Sequence, residues 1–220
     1  MIPDLQPIFD AYASLQAEAD RLFQTVAKQH PDCVTCTEGC SDCCHALFDL
    51  SLVEAMAIQR AFTKAFDYGE QRSTILTNAA QIDRKLTKLK RNLFHMEKEG
   101  TSQNQIMEQA AKERMPCPLL SMGRCLLYES RPITCRLYGI PTIIGDQGHV
   151  CGFSRFTIGT PYPTVHMDKI QARLEALSHD IAQTVHSRFR DLDQVYVPLS
   201  MALLTTYDEQ YLGIAPAQED

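Results

Sequence analysis

Five cysteines crowd into the stretch CVTCTEGCSDCC, from Cys33 to Cys44, and four more follow at Cys117, Cys125, Cys135 and Cys151. Thiols in this number can pair as disulfides, pack as small hydrophobes, carry redox chemistry or bind metal. Isolated buried cysteines do behave as small hydrophobes. Five of them set among Thr, Glu, Gly, Ser and Asp fit no helical or strand core. The count of nine is odd, so one thiol is left over in any fully paired scheme. A redox dithiol built on Cys33/Cys36 or Cys40/Cys43 leaves the remaining cysteines without a purpose.

Metal ligation accounts for all of them together. Thiolates select zinc, iron–sulfur clusters or copper(I), and a Cys-x-x-Cys turn lets two sulfurs converge on one ion. The adjacent pair Cys43-Cys44 adds a constraint. In extended backbone neighbouring side chains point to opposite sides, so adjacent thiolates suit two neighbouring sites or two corners of a larger cluster. Eight cysteines from Cys36 onward fill two four-sulfur sites and leave Cys33 spare. The run Cys33, Cys36, Cys40, Cys43 could also fill one site locally, although its spacing is not that of bacterial ferredoxins. The sequence does not choose between these partitions.

The elements that carry the cysteines are mostly helical. Leu5, Ile8, Phe9, Tyr12, Leu15, Leu22, Phe23 and Val26 recur at helical spacing and predict an amphipathic helix over 4–28, with Pro31 beyond its end. Ser51-Leu-Val-Glu54 is a capping-box pattern that opens a helix to about 66. Ile75, Ala79, Ile82, Leu86, Leu89, Leu93 and Met96 form a heptad-like stripe that predicts a long helix over 70–99. The stripe reads as core rather than as a coiled-coil seam. A shorter helix is expected over 103–114. Helix resumes over 167–189, and a last one follows Pro198 to about Tyr207.

Between Met115 and Pro163 the periodicity vanishes, prolines and glycines accumulate, and four cysteines appear. Short strands are expected in LYGIPTII and HVCGF around the Gly-Asp-Gln-Gly turn. A segment this long and irregular needs something other than an apolar stripe to organise it. The expectation is one domain over 1–220, mainly α: a helical bundle with an irregular cysteine-rich region, a few short strands, and metal-binding segments at 33–44 and 115–152.

With 45% apolar residues, 22% charged residues and a net charge of −6, the composition is that of a soluble globular protein. At 220 residues the chain can bury a core without cross-links. No signal-peptide pattern and no stretch of the ~20 apolar residues needed for a membrane span is seen. The expected setting is the cytoplasm, where thiols stay reduced. The basic run Arg84, Lys85, Lys88, Lys90 and Arg91 reads as a solvated helix face, so neither nucleic acid nor membrane is an expected partner, while a protein partner stays open. No dinucleotide fingerprint, P-loop or serine-hydrolase elbow is present.

GCSDCC with a cysteine shortly before it, CPLL, GRCLLYESRPITCRLYG and the final cysteine in HVCGF together resemble the YkgJ-type cysteine-cluster proteins, a zinc- or iron-chelating family with a CxxCxxCC signature. Three residues separate Cys36 from Cys40 where the family has two, so Cys33 and Cys36 compete as first ligand. The resemblance implies metal binding by Cys36, Cys40, Cys43, Cys44, Cys117, Cys125, Cys135 and Cys151. A [4Fe-4S] cluster is favoured over zinc, because every strong donor is a thiolate and the thiolates are scattered through an irregular region. The expected role is electron transfer, metal handling or structural stabilisation. Because the family includes a flagellin lysine methylase, the alternative is an iron–sulfur-dependent protein methyltransferase. A third reading is thiol exchange by Cys33 and Cys36.

A thiolate-rich centre is anionic, so its surroundings should supply donors and cations. Arg131 and Arg136 flank Cys135 and are the candidate cofactor-binding cations; Arg124 and Arg155 also lie near late cysteines. Pro132 is expected to fix the turn that presents Cys135, with Tyr128 packed beneath it. His45 and His149 are reserve ligands.

Overall fold

A computed structural model describes residues 1–37, 39–102, 105–106, 109–110, 113–157 and 159–215. Among the described residues the main helices are α1 (Gln6–Gln29), α2 (Leu52–Ala65), α3 (Glu70–Lys98), α4 (Ile133–Leu137), α5 (Met167–Thr184) and α6 (Leu199–Leu204). The mainly α reading holds. The helix expected over 103–114 falls partly outside the described residues, although 105–106 and 109–110 are helical. The helix expected over 167–189 ends at Thr184, where Val185 caps it and His186 turns to a positive φ of 49°. The last helix ends at Leu204 rather than Tyr207.

Helix α2 is buried on both sides and joins two apolar clusters. Val53 and Met56 pack with Phe9, Tyr12 and Leu15 of α1, Ile133 and Leu137 of α4, and Leu174 and Ile181 of α5. Ala55, Ile58 and Phe62 pack with Ile75 of α3, Leu119, Leu127 and Leu203. The predicted capping box at its start is present: the Ser51 amide and hydroxyl both donate to Glu54 Oε2, at 3.4 and 3.2 Å.

The strands are short. β1 (Asp49–Ser51) pairs antiparallel with β7 (Tyr196–Pro198), with Leu50 opposite Val197. β2 (Leu120–Ser121) and β3 (Arg124–Cys125) form a hairpin. Its turn residues Met122 and Gly123 have φ of 48° and 76°, the left-handed pair that a tight hairpin demands. β4 (Thr142–Ile144) lies between antiparallel β5 (Gln147–His149) and parallel β6 (Val165–His166). A strand pair does form around Gly145, but its second strand β5 precedes the expected HVCGF segment and shares only His149 with it.

No helix among the described residues is long and apolar enough to cross a membrane. The basic side chains of α3 lie on its exposed face, where Lys90 pairs with Asp49 at 2.7 Å.

Candidate metal centre

The thiols converge from four parts of the chain. Cys43 and Cys44 belong to a tight 3-10 turn, Asp42–His45. Successive side chains on such a turn are separated by about 120° rather than the 180° of a strand. Both adjacent thiols can therefore face one cavity, which the extended-chain argument did not allow for. The Cys117 amide donates to the Cys44 carbonyl at 2.6 Å and fastens the second segment to the first. Cys125 stands on β3, next to Cys117 through the hairpin. Cys135 rides on α4, whose start is set by Pro132 in extended conformation. Cys151 follows β5, its carbonyl held by the Ser154 amide at 2.9 Å.

These segments enclose a cavity of about 680 Å³. Cys36, Cys40, Cys43, Cys44, Cys117, Cys125, Cys135 and Cys151 all line it. Cys33 does not; it packs against the main apolar cluster, and its carbonyl accepts from the Arg155 amide at 2.9 Å. All nine cysteines are free of disulfides.

Within the cavity the thiols divide into two groups. Cys43 interacts with Cys135 and Cys44, and Cys44 in turn with Cys125, with Cys117 beside Cys125. This inner group is deep: burial, first of all, pushes Cys117 up to about 12, and hydrogen bonds from Cys135 and Cys44 hold Cys43 far below the usual thiol range. A hydrogen bond from Cys44 lowers Cys125 to about 7. The outer group is Cys36 and Cys40, which neighbour each other and are exposed, together with Cys151. Cys36 is seated on Gly139, where a Cβ would come within 2.3 Å of its Sγ.

The arginines differ in what they hold. The Arg136 guanidinium is 5% exposed and fully engaged: Nε donates to the Arg131 carbonyl at 2.9 Å, one terminal nitrogen to Asp20 on α1 and the other to the Glu129 carbonyl. It ties α1 to the segment that presents Cys135. Arg131 stacks over the Tyr128 ring at 3.7 Å, and its charge lowers Cys43 and Cys125. Its buried Nε has no partner. An orphaned cationic donor beside Cys43, Cys125 and Cys135 is what a metal-bound sulfur would satisfy. Tyr128 is 57% exposed and covers Arg131 instead of packing beneath Pro132. Arg124 lines the cavity. Arg155, His45 and His149 do not; His45 Nδ1 lies 3.0 Å from the Ser41 carbonyl, and His149 is exposed on β5.

One charged residue of the cavity was missed by sequence reasoning. Asp42 is buried, ion-paired with Arg114 and 3.3 Å from Cys151 Sγ. An acidic residue inside a cysteine motif looks like solvent-facing filler, so only the structure exposes it. Apolar lining of the cavity comes from the heptad-like stripe: Ile82, Leu86, Leu89 and Leu93 of α3 line it together with Phe48 and Leu119. The stripe thus supplies core at Ile75 and Ala79 and cavity wall beyond.

The donors fit a thiolate-bound metal in kind and number. Among the described residues no three of His, Cys, Asp or Glu are already closed around a single ion.

A family model described as "Putative zinc- or iron-chelating domain", with the signature CxxCxxCC, matches residues 35–152, more than half of the chain. The chain belongs to this family. The matched segment begins between Cys33 and Cys36 and takes in all eight cavity cysteines. No curated protein and no solved structure matches.

Proposed function

We propose that the protein holds an iron–sulfur centre, of the [4Fe-4S] type, through four of the five inner thiols Cys43, Cys44, Cys117, Cys125 and Cys135, and works in electron transfer, metal handling or structural stabilisation in a reducing, cytoplasmic setting. The observation that carries this reading is that eight cysteines from distant segments line one cavity while the ninth stays outside it. The all-sulfur inner group, the size of the cavity and the unpartnered Arg131 Nε support a cluster over a single ion. Zinc is the alternative occupant with the same donors. No nucleic-acid or membrane contact enters this function.

The test is anaerobic purification followed by elemental analysis and absorption spectroscopy. Close to four irons per chain with thiolate-to-iron bands in the visible is the expected result for one such cluster. Colourless protein with stoichiometric zinc replaces the metal and keeps the ligands. Protein with neither metal refutes the reading.

The apolar arm of the cavity favours a second, catalytic reading. A structural metal site has no use for a wall of Leu86, Leu89 and Leu93 beside the thiols, whereas a substrate does. In that case the centre serves an enzyme, with protein methyl transfer the specific version. Saturable quenching of the metal absorption by an added protein or peptide substrate distinguishes it.

A further inference from the structure

Asp42 immediately precedes Cys43, yet its carboxylate turns toward a different set of thiols. The side chain is 6% exposed. Oδ1 is ion-paired with Arg114, whose same nitrogen also donates to the Asp42 carbonyl at 3.1 Å. Oδ2 faces Cys151 Sγ at 3.3 Å. Carboxylates that bind metal through one oxygen commonly have the other held by a hydrogen-bond donor, and Arg114 supplies that donor here.

The separation also suits shared ligation. A sulfur at ~2.3 Å and an oxygen at ~2.0 Å from one tetrahedral ion stand roughly 3.5 Å apart. Cys36, Cys40 and Cys151 line the same cavity as Asp42, and both Cys40 and Cys151 act on Cys36. Beside Cys151 the carboxylate of Asp42 offers these three thiols an oxygen donor. Cys43 also lies near Cys36, but its foremost partners are Cys135 and Cys44 of the inner group.

We propose that Asp42 is the fourth ligand of an outer metal centre completed by Cys36, Cys40 and Cys151, a mixed sulfur–oxygen site for a borderline divalent cation such as Zn²⁺. The inference rests on the reading that the cavity thiols bind metal. Because Cys36 and Cys40 are exposed, the outer centre is open to solvent and can exchange its ion, unlike the inner one. Arg114 offsets part of the ligand charge.

The experiment loads full-length metal-free protein with Zn²⁺ under anaerobic conditions and combines elemental analysis with X-ray absorption at the zinc edge. Wild type, Asp42→Ala and Asp42→Cys are compared. Wild type is expected to carry an oxygen shell at about 2.0 Å beside the sulfur shell at about 2.3 Å. Asp42→Ala should lose one zinc per chain and the oxygen shell, and Asp42→Cys should regain the zinc with sulfur alone. A sulfur-only shell in wild type, or full zinc with an unchanged spectrum in Asp42→Ala, overturns the proposal. Should Asp42→Ala not fold, the wild-type spectrum and Asp42→Cys still decide. Failure of wild type to bind zinc at all overturns the outer centre, while the iron and zinc content of anaerobically purified protein decides the metal reading itself, so the two failures are distinct.

Discussion

The Glu54 carboxylate accepts a hydrogen bond from the Ile133 amide at 3.1 Å, joining the first turn of α2 to the first turn of the helix that carries Cys135. The same carboxylate closes the capping box on Ser51, so one buried side chain caps its own helix and aims another toward the cavity. The Ile133 amide is one of the first-turn donors that a helix cannot satisfy itself.

Replacing Glu54 by Gln leaves one oxygen for three donors and should cost about 1–3 kcal/mol of stability. Metal affinity should fall as well, because Cys135 loses its anchor. Burial, outweighing these hydrogen bonds, raises the Glu54 pKa in the fold. A raised carboxyl contributes its stability below the ordinary carboxylate range, and loses it as pH climbs through the raised value. Urea titrations over a pH series should therefore show wild type and Glu54→Gln converging as pH rises. Parallel profiles would remove Glu54 as the titrating group.

Gly139→Ala should spare the fold and disturb one thiol. The added Cβ falls 2.3 Å from Cys36 Sγ and 3.1 Å from the Phe23 ring. A short side chain can rotate away, so Cys36 should leave the cavity while circular dichroism stays unchanged. Alkylation of Cys36 should speed up and metal content should drop. Unaltered Cys36 reactivity would show that its seat is not Gly139.

Cys33→Ser should keep its metal, whereas Cys43→Ser and Cys44→Ser should lose it. Cys33 lies outside the cavity that the other eight line. Metal per chain, measured by elemental analysis, gives the answer. Loss in Cys33→Ser with retention in Cys36→Ser would reverse the assignment of the first ligand.

Arg136→Lys should destabilise the protein by roughly 1–3 kcal/mol, since an ammonium cannot reproduce the fork that reaches two carbonyls and Asp20 together. Thermal melts of metal-free protein isolate this packing effect from any change at the centre. An unchanged melting temperature would mean the three contacts are dispensable.

Metal removal should leave helical circular dichroism largely intact. Helices α1, α2 and α5 bury one another through Phe9, Leu15, Val53, Leu174 and Ile181 without help from any thiol. Limited proteolysis of the metal-free form should cut first between Cys33 and Cys44 or between Met115 and Pro163, and metal should protect both. Equal resistance with and without metal would show that the thiols do not organise these segments.

Local patterns in the sequence determined most of the helices and the chemistry. The stripes of α1 and α3, the Ser51–Glu54 box and the Gly145 turn act over a few residues, so they can be read from spacing. Thiol count and neighbours pointed to metal for the same reason: donor type is a property of the residue itself. The choice of partners was decided by tertiary structure. Placement of Cys36 inside the cavity and Cys33 outside depends on how 33–44 lies against α4 and on the space left by Gly139. The shared facing of Cys43 and Cys44 depends on a 3-10 turn that no periodicity announces. Asp42 joins the thiols because Arg114, 72 residues away, neutralises it there. Arg136 is spent on Asp20, 116 residues earlier in the chain, and Arg131 keeps a buried donor without a partner while its charge acts on Cys43 and Cys125. Each of these is a long-range match of charge, hydrogen bonds or volume, which only the packed chain can select.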